Sequence, residues 1–332
     1  MMGMEDLCGS AYGYLEALKL QESRYWQSFS MNNPYQSSLS RTEFSRNANE
    51  RWRIKMCQWY FEVVDCFDFD RGVVSIALNY LDRMVAESLC NKTFTSKNEL
   101  QLVAITSLYV ALKLHGEIEH RGGRYRRKKL TIDAFVILCK HQFDVSAIES
   151  MERALLSILN WHLNPPDVRS YVACMLELMP ERKIYSTEWR YIFGIARYIG
   201  ELSLGESSLA FQVRPSVTAC AAILCAIHSL QESGRPLPPA HVLEAMSDNI
   251  AAATALRLDM PAVTHVAIRL MHLCPSIIAN LWIFDSTCDN EMDGVSNDEI
   301  MNDTSFQRKA SPVCVSSFSD ENAFFVRARE RN

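Results

Sequence analysis

The side chains that most often carry chemistry are all present in this chain, but not at the spacings that chemistry needs. Eight histidines occur without an H-E-x-x-H arrangement, which would set two imidazoles on one helix face for zinc. Eleven cysteines are scattered from Cys8 to Cys314 with no C-x-x-C pair, so they read as buried thiols of a reducing compartment and not as a zinc site or disulfide framework. A G-x-S-x-G nucleophile elbow, a Walker loop and a dinucleotide glycine fingerprint are all missing. The sequence therefore predicts no catalytic residue, no metal and no cofactor, and function must lie in binding. Two charged groupings stand out. Lys113 closes an otherwise apolar helical segment and Glu152 lies on another whose opposite face is apolar, which puts opposite charges at the rim of one domain. The run RGGRYRRKK from Arg121 to Lys129 has six basic residues in nine and reads as a nuclear localisation signal, a local anion contact or a solvated loop.

The elements that must position these residues are helical. Asn49 to Cys66 carries two apolar stripes, Trp52, Met56, Trp59 and Val63 on one side and Ile54, Phe61 and Val64 on another, so both faces should be covered. Arg71 to Val85 has helical spacing through Val74, Ala77, Leu81 and Met84. Leu100 to Leu114 is apolar nearly all round, as expected of a helix enclosed by others. Thr131 to His141 and Val145 to Leu159 follow, and Asn164-Pro165-Pro166 ends the series. The pattern then restarts at 167–178, 187–204, 215–230, 239–247 and 261–273, with Pro215 and Pro261 at positions where a helix can begin. No strand pattern is evident, and 86–98 and 117–130 read as long connections. Residues 28–49 and 285–332 are polar and predict unpacked extensions, while Tyr14, Leu15, Leu18 and Tyr25 predict an amphipathic helix over 12–25 that packs on the first domain.

At 332 residues and 48% hydrophobic content, two domains are expected. The net charge of −5 and pI near 5.9 exclude a generally basic surface, so nucleic-acid binding is not expected beyond a local contact. The N-terminus has no basic region followed by an apolar core, and the longest uncharged apolar stretch, Ser216 to Leu230, is shorter than the roughly 20 residues of a membrane helix. A soluble intracellular protein with no membrane partner is expected.

Four segments in order, RIKMCQWYFEV, NYLDRMV, LQLVAITSLYVALK and MERALLSILNWHLNPP, resemble those that define the N-terminal cyclin box. IARYIGELSLGESSLAFQVRPSVTACAAILCAI resembles part of the C-terminal box, and YLEALKLQESRYW resembles the helix preceding the box in D-type and plant-like cyclins. The resemblance implies an all-α fold of two tandem five-helix cyclin-box domains, 49–164 and 165–275, with an N-terminal extension over 1–48 and an acidic tail over 276–332. It implies a non-enzymatic regulatory subunit that binds and activates a cyclin-dependent serine/threonine protein kinase in cell-cycle control, in the nucleus and also the cytoplasm. A cyclin-fold adaptor of the RNA polymerase machinery is the alternative.

Residue by residue, the resemblance assigns Lys113 and Glu152 to the kinase contact, and Arg53, Asp82 and Leu102 to the buried framework, where a guanidinium–carboxylate pair locks two helices. It matches a patch that docks substrates or inhibitors to Trp52, Met56, Trp59, Glu62, Leu100 and Gln101. Trp52 and Lys55 depart from that patch's usual pattern, and burial of Trp52 and Met56 in the core is the competing expectation. A destruction box and an L-x-C-x-E motif are not found, and Ser311-Pro312 is a lone candidate for phosphorylation.

Overall fold

The computed structural model describes residues 4–29, 43–91, 97–116, 118–121, 124–127 and 130–273. Over these residues the chain is helical apart from one short hairpin, and all the helices fall in one compact unit. After α1 (Met4–Phe29), the first set comprises α2 (Glu43–Cys66), α3 (Gly72–Asn91), α4 (Lys97–His115), α5 (Ile132–Leu138) and α6 (Val145–Ile158). The second set comprises α7 (Val168–Glu177), α8 (Ser186–Ser203), α9 (Ser207–Gln212), α10 (Pro215–Glu232), α11 (Ala240–Thr254) and α12 (Pro261–Leu273).

Each set is built round one apolar helix. In the first it is α4, which packs on α3, α5 and α6 and buries Val103, Ala104, Ile105, Leu108, Val110, Ala111 and Leu112. In the second it is α10, whose small residues Ala219, Cys220, Ala221, Ala222 and Ala226 let α7, α8 and α12 approach closely. Local chemistry starts and stops the surrounding helices. The Asp144 carboxylate accepts from Ala147 N at 2.7 Å and caps α6, and Asp167 accepts from Ser170 N at 2.6 Å and caps α7. Full burial of Ile148 and Leu155 on the apolar stripe of α6 stabilises that helix by about 1.5–3 kcal/mol per side chain.

Several expectations are corrected. The helix α1 is longer than 12–25, and its buried stripe is Ala11, Leu15, Leu18 and Glu22, with Tyr14 turned outward. It packs mainly on α7 and α11 of the second set, and its C-terminal part also meets the first domain, where the Tyr25 hydroxyl accepts from Asn164 N at 3.1 Å and its ring lies 5.2 Å from the Arg83 guanidinium. Glu22 anchors it there: its buried carboxylate accepts from Ser216 N at 2.8 Å and Ser216 Oγ at 2.9 Å, satisfying a backbone donor that the start of α10 leaves without an intrahelical partner. Helix α2 begins at Glu43, inside the stretch expected to be unpacked, and α3 and α4 extend into the expected connection at 86–98.

The connection at 117–130 is also more than a loop. It contains the antiparallel strands β1 (Ile118–Arg121) and β2 (Arg124–Arg127), separated in sequence by Gly122-Gly123, a dipeptide suited to a two-residue hairpin turn. The expectation for 276–332, including Ser311-Pro312, lies outside the described residues. So do Gly122, Gly123, Lys128 and Lys129.

Candidate functional site

Lys113 and Glu152 are brought together. Lys113 sits in the last turn of α4 and Glu152 midway along α6, 39 residues apart in sequence, and Lys113 Nζ donates to Glu152 Oε1 at 2.7 Å. The lysine side chain is 51% exposed and the glutamate only 14%. The hydrogen bond it donates to Glu152 holds the Lys113 ammonium above its ordinary pKa against the opposing effect of desolvation, and the Tyr109 ring lies 5.4 Å away. One bond leaves the ammonium with further donors and the carboxylate with further lone pairs, so the pair can engage backbone groups of a partner without separating.

The rim around this pair is anchored from below. Gly116 N donates to Leu112 O at 2.9 Å as α4 ends, and a Cβ at position 116 would stand 2.3 Å from that carbonyl. The Leu163 carbonyl accepts from the Tyr80 hydroxyl and lies 2.8 Å from His115 Nε2, and Arg83 donates to His162 O at 2.8 Å and Leu159 O at 3.1 Å. These bonds fix the exit of α6 against α3 and α4. Within that exit Asn160 and Trp161 both have left-handed backbone, φ 49° and 59°, a conformation that costs an ordinary side chain about 1–2 kcal/mol. The Trp161 side chain is nevertheless 71% exposed, and Leu114, next to Lys113, is 37% exposed. Exposed apolar side chains on a strained, well-anchored segment are a feature of binding surfaces. Sequence reasoning missed Trp161, although its place between Asn160 and the double proline was a readable signal.

The framework residues form a second, buried centre. Arg53 Nε and Nη2 donate to Asp82 Oδ1 and Oδ2 at 2.9 and 2.8 Å, and Arg53 Nη1 donates to the Leu204 carbonyl at 2.7 Å. Arg53 therefore ties α2 to α3 and both to the second helical set. Leu102 lies half-buried, and the core of α4 begins at its neighbour Val103, so Leu102 is a boundary residue and not part of the core.

Sequence reasoning did not find the charge network beside this centre. Arg71 donates to Asp65 (2.7 Å, twice) and to Glu201 (2.8 Å), while Arg169 pairs with Asp70, whose Oδ1 also accepts from Gly72 N at 2.6 Å. Arg197 is buried nearby, with its guanidinium 5.3 Å from the Phe193 ring and no hydrogen-bond partner at Nε or Nη2. Burial, with Arg169 beside it, holds its pKa down to about 10. The network joins the α2–α3 turn to α7 and α8, so it couples the two helical sets.

The matched patch residues divide between faces. Trp52, Met56 and Trp59 share one half-exposed face of α2, Lys55 and Glu62 are exposed, and Leu100 and Gln101 lie half-exposed in the first turns of α4. The face expected to be covered is therefore only partly so. The fully buried stripe of α2 is Arg53, Cys57, Tyr60, Phe61 and Val64, with the Tyr60 hydroxyl donating to Ala104 O at 2.7 Å. Gln101 is tied to Gln142 at 3.4 Å. Among the described residues no three His, Cys, Asp or Glu side chains are grouped to hold a metal, and no helix is long and apolar enough to cross a membrane.

The described helices thus form two successive sets, each packed round one apolar helix, with the Lys113–Glu152 pair on the first. Residues 24–164 match the family model for the N-terminal domain of cyclins. The chain is 25% identical over 187 residues to the G2/mitotic-specific cyclin-A of Drosophila melanogaster, covering 56% of this chain and 33% of that one. It is 24% identical over 172 residues to G2/mitotic-specific cyclin-B1 of Caenorhabditis elegans, covering 51% and 44%. A viral cyclin from herpesvirus saimiri, solved by X-ray crystallography, overlays with a TM-score of 0.48 at 14% identity, across 69% of this chain and 86% of the viral one. Over residues 24–164 the chain is thus similar to the N-terminal domain of cyclins, and it resembles, at low identity, cell-cycle cyclins of the A and B types. It spans less than half the length of these two curated relatives.

Proposed function

We propose that this chain is the regulatory subunit of a cyclin-dependent serine/threonine protein kinase, which it binds through Lys113 and Glu152 and activates in cell-cycle control. The observation that carries the reading is the 2.7 Å pair itself, held at an accessible rim by two helices of a cyclin N-terminal domain. Names of the type G2/mitotic-specific cyclin among its relatives support the cell-cycle assignment. The chain contributes no catalytic group. A protein kinase needs its lysine–glutamate ion pair formed and its activation loop ordered before it transfers a phosphoryl group. A subunit that binds this arrangement more tightly than the inactive one shifts the kinase toward it, and reversing a 1:99 population takes about 5.5 kcal/mol of differential binding. Lys113 and Glu152 supply charge-assisted hydrogen bonds to the kinase backbone, with Leu114 and Trp161 as apolar contacts around them.

The half-exposed face of Trp52, Met56 and Trp59, with Glu62, Leu100 and Gln101, is assigned to docking of substrates or inhibitors, and the complex to the nucleus and cytoplasm. The test is capture of tagged wild type and of a Lys113→Ala, Glu152→Ala double variant from the native cell. Bound proteins are identified by mass spectrometry and assayed for histone phosphorylation. An active cyclin-dependent kinase retained by wild type and lost by a folded double variant is the expected result. If wild type captures no kinase but components of the RNA polymerase machinery, the regulatory reading fails and an adaptor role replaces it.

A further inference from the structure

Where the two helical sets meet, the structure leaves a recess of about 90 Å³, lined by Arg53 and Asp82 of the buried framework, by α3, by Pro165 to Val168, and by α9 and the start of α10. One water needs roughly 10–15 Å³ of such space, so the recess takes several waters or one side chain. Leu78, Pro166, Leu204, Leu209 and Val213 make its walls mostly apolar. The polar groups among them are one-sided. All three nitrogens of the Arg53 guanidinium already donate, to Asp82 and to the Leu204 carbonyl. The hydroxyls of Ser75, Ser203 and Thr218 donate to the carbonyls of Gly72, Gly200 and Arg214 at 2.8, 2.7 and 3.3 Å. What remains is acceptors. Asn79 Oδ1 is buried without a hydrogen-bond partner, and the soft terminal torsion of an asparagine lets it turn to a donor in the recess. Asp167 gives Oδ1 to the cap of α7 and holds Oδ2 at a long 3.4 Å from Ser75 Oγ. Two carboxylates, Asp82 and Asp167, against the one guanidinium give the lining a formal charge of −1.

We propose that this recess takes a lysine side chain of a partner polypeptide. A lysine is a flexible four-carbon stem ending in three rotatable donors. The stem suits the apolar walls, and the ammonium meets acceptors placed singly at Asn79 and Asp167, an arrangement that the planar fork of an arginine, built for paired oxygens, does not match. Burying an ammonium is costly unless charge and hydrogen bonds offset it, and the excess carboxylate supplies both. The net charge of −5 also favours a basic segment over an acidic one. A free amine of this size has too few atoms for useful affinity, whereas a side chain brings its backbone onto the partly exposed rim of Ala210, Val213 and Pro215. The recess shares no lining residue with the Lys113–Glu152 pair or with the Trp52 face of α2, and the inference does not rest on the kinase reading.

The experiment uses the purified full chain without kinase, carrying carbon-13 in its leucine and valine methyl groups, and follows those methyls by NMR during titration. The probes are a Gly/Ala peptide with one central lysine, its twin with norleucine in that place, and n-butylamine. The lysine peptide is expected to move the methyls of Leu204, Leu209 and Val213 and to reach half-saturation at a concentration at least about tenfold below that of its twin. Asp167→Asn keeps the oxygen that caps α7 but removes the charge, and should reduce the preference several-fold while the helical circular dichroism stays unchanged. Asn79→Leu should reduce it as well, and Asn79→Asp, which adds a charged acceptor, should raise it. Equal half-saturation of the two peptides, a preference that neither Asp167→Asn nor Asn79→Leu alters, or shifts confined to methyls away from the recess overturns the inference. Saturation by n-butylamine at or below the concentration of the lysine peptide overturns it in favour of a small-molecule amine. No kinase enters the measurement, so its failure leaves the kinase reading standing, and failure of kinase capture leaves the lysine site standing.

Discussion

Arg53 and Asp82 meet through two parallel hydrogen bonds of 2.9 and 2.8 Å, with side chains only 1% and 3% exposed, and the remaining arginine nitrogen reaches across to the Leu204 carbonyl at 2.7 Å. Removing one partner leaves a buried charge unmatched. Asp82→Ala should destabilise the protein by about 3–5 kcal/mol, whereas Arg53→Met combined with Asp82→Leu should recover most of that loss. Urea unfolding of the three proteins measures both. A single variant within about 1 kcal/mol of wild type would show that the pair does not hold the helical sets together.

Arg197 should behave in the opposite sense. It is buried beside Arg169 and Arg71 with two nitrogens unpaired, so its charge is poorly compensated. Arg197→Met keeps the chain length and the contact with Phe193 and is expected to stabilise the fold by about 1–3 kcal/mol. Loss of stability on denaturant titration would mean that the guanidinium is better matched than its geometry indicates.

Gly72 opens α3 in a place with no room for a side chain. A Cβ there would lie 2.6 Å from Asp70 Oδ1 and 3.0 Å from Arg169 Nη1, so Gly72→Ala must push apart the Asp70–Arg169 pair. A loss of about 1–3 kcal/mol is expected by thermal or urea unfolding. An unchanged midpoint would show that the α2–α3 turn relaxes freely.

Two carboxylates should give opposite pH dependences. Burial acts to raise the Asp70 pKa, but the Arg169 charge and hydrogen bond and the Gly72 N–H outweigh it and hold it below 3.8. Its contribution is therefore fully present above 3.8 and is lost as pH falls through the lower folded value. Burial holds Glu22 above 4.5 despite its bonds from Ser216, so its contribution is fully present below 4.5 and is lost as pH rises through the folded value. In unfolding free energies measured against pH, the advantage of wild type over Asp70→Asn should shrink on acidification. Against Glu22→Gln, wild type should lose ground as pH rises above 4.5. Differences that do not change with pH contradict both assignments.

The Lys113–Glu152 pair should matter little to stability. The lysine is half-exposed, so Lys113→Ala with Glu152→Ala should change the unfolding free energy by no more than about 1 kcal/mol. A much larger loss would mean that the pair is structural, and a missing kinase in capture experiments could then be a folding defect.

The helical fold was legible because the residues that make it act locally. The stripe Ile148, Met151 and Leu155, the caps Asp144 and Asp167 and the start at Pro215 are periodicities and end signals that need no partner to be read. Where a helix was mislocated, a distant group intervened. The strip of α1 that becomes buried was misjudged because Glu22, polar and unremarkable in sequence, serves as the anchor, and its acceptors face a helix nearly two hundred residues further along. The hairpin was missed because β1 and β2 are too short and too charged to show a hydrophobic alternation.

The sequence alone determined the class of the fold and singled out Lys113, Glu152, Arg53 and Asp82 as candidates, since residue type, helical period and the order of four segments are properties of the chain itself. Only the tertiary structure decided which charges meet. It set Lys113 against Glu152 at an open rim, closed Arg53 on both Asp82 and Leu204, and gathered Asp65, Asp70, Arg71, Arg169, Arg197 and Glu201 between the two helical sets. The physical reason is range. Apolar periodicity records which way a residue faces on its own helix, whereas an ion pair depends on where two helices cross, and that is settled by packing across the whole core.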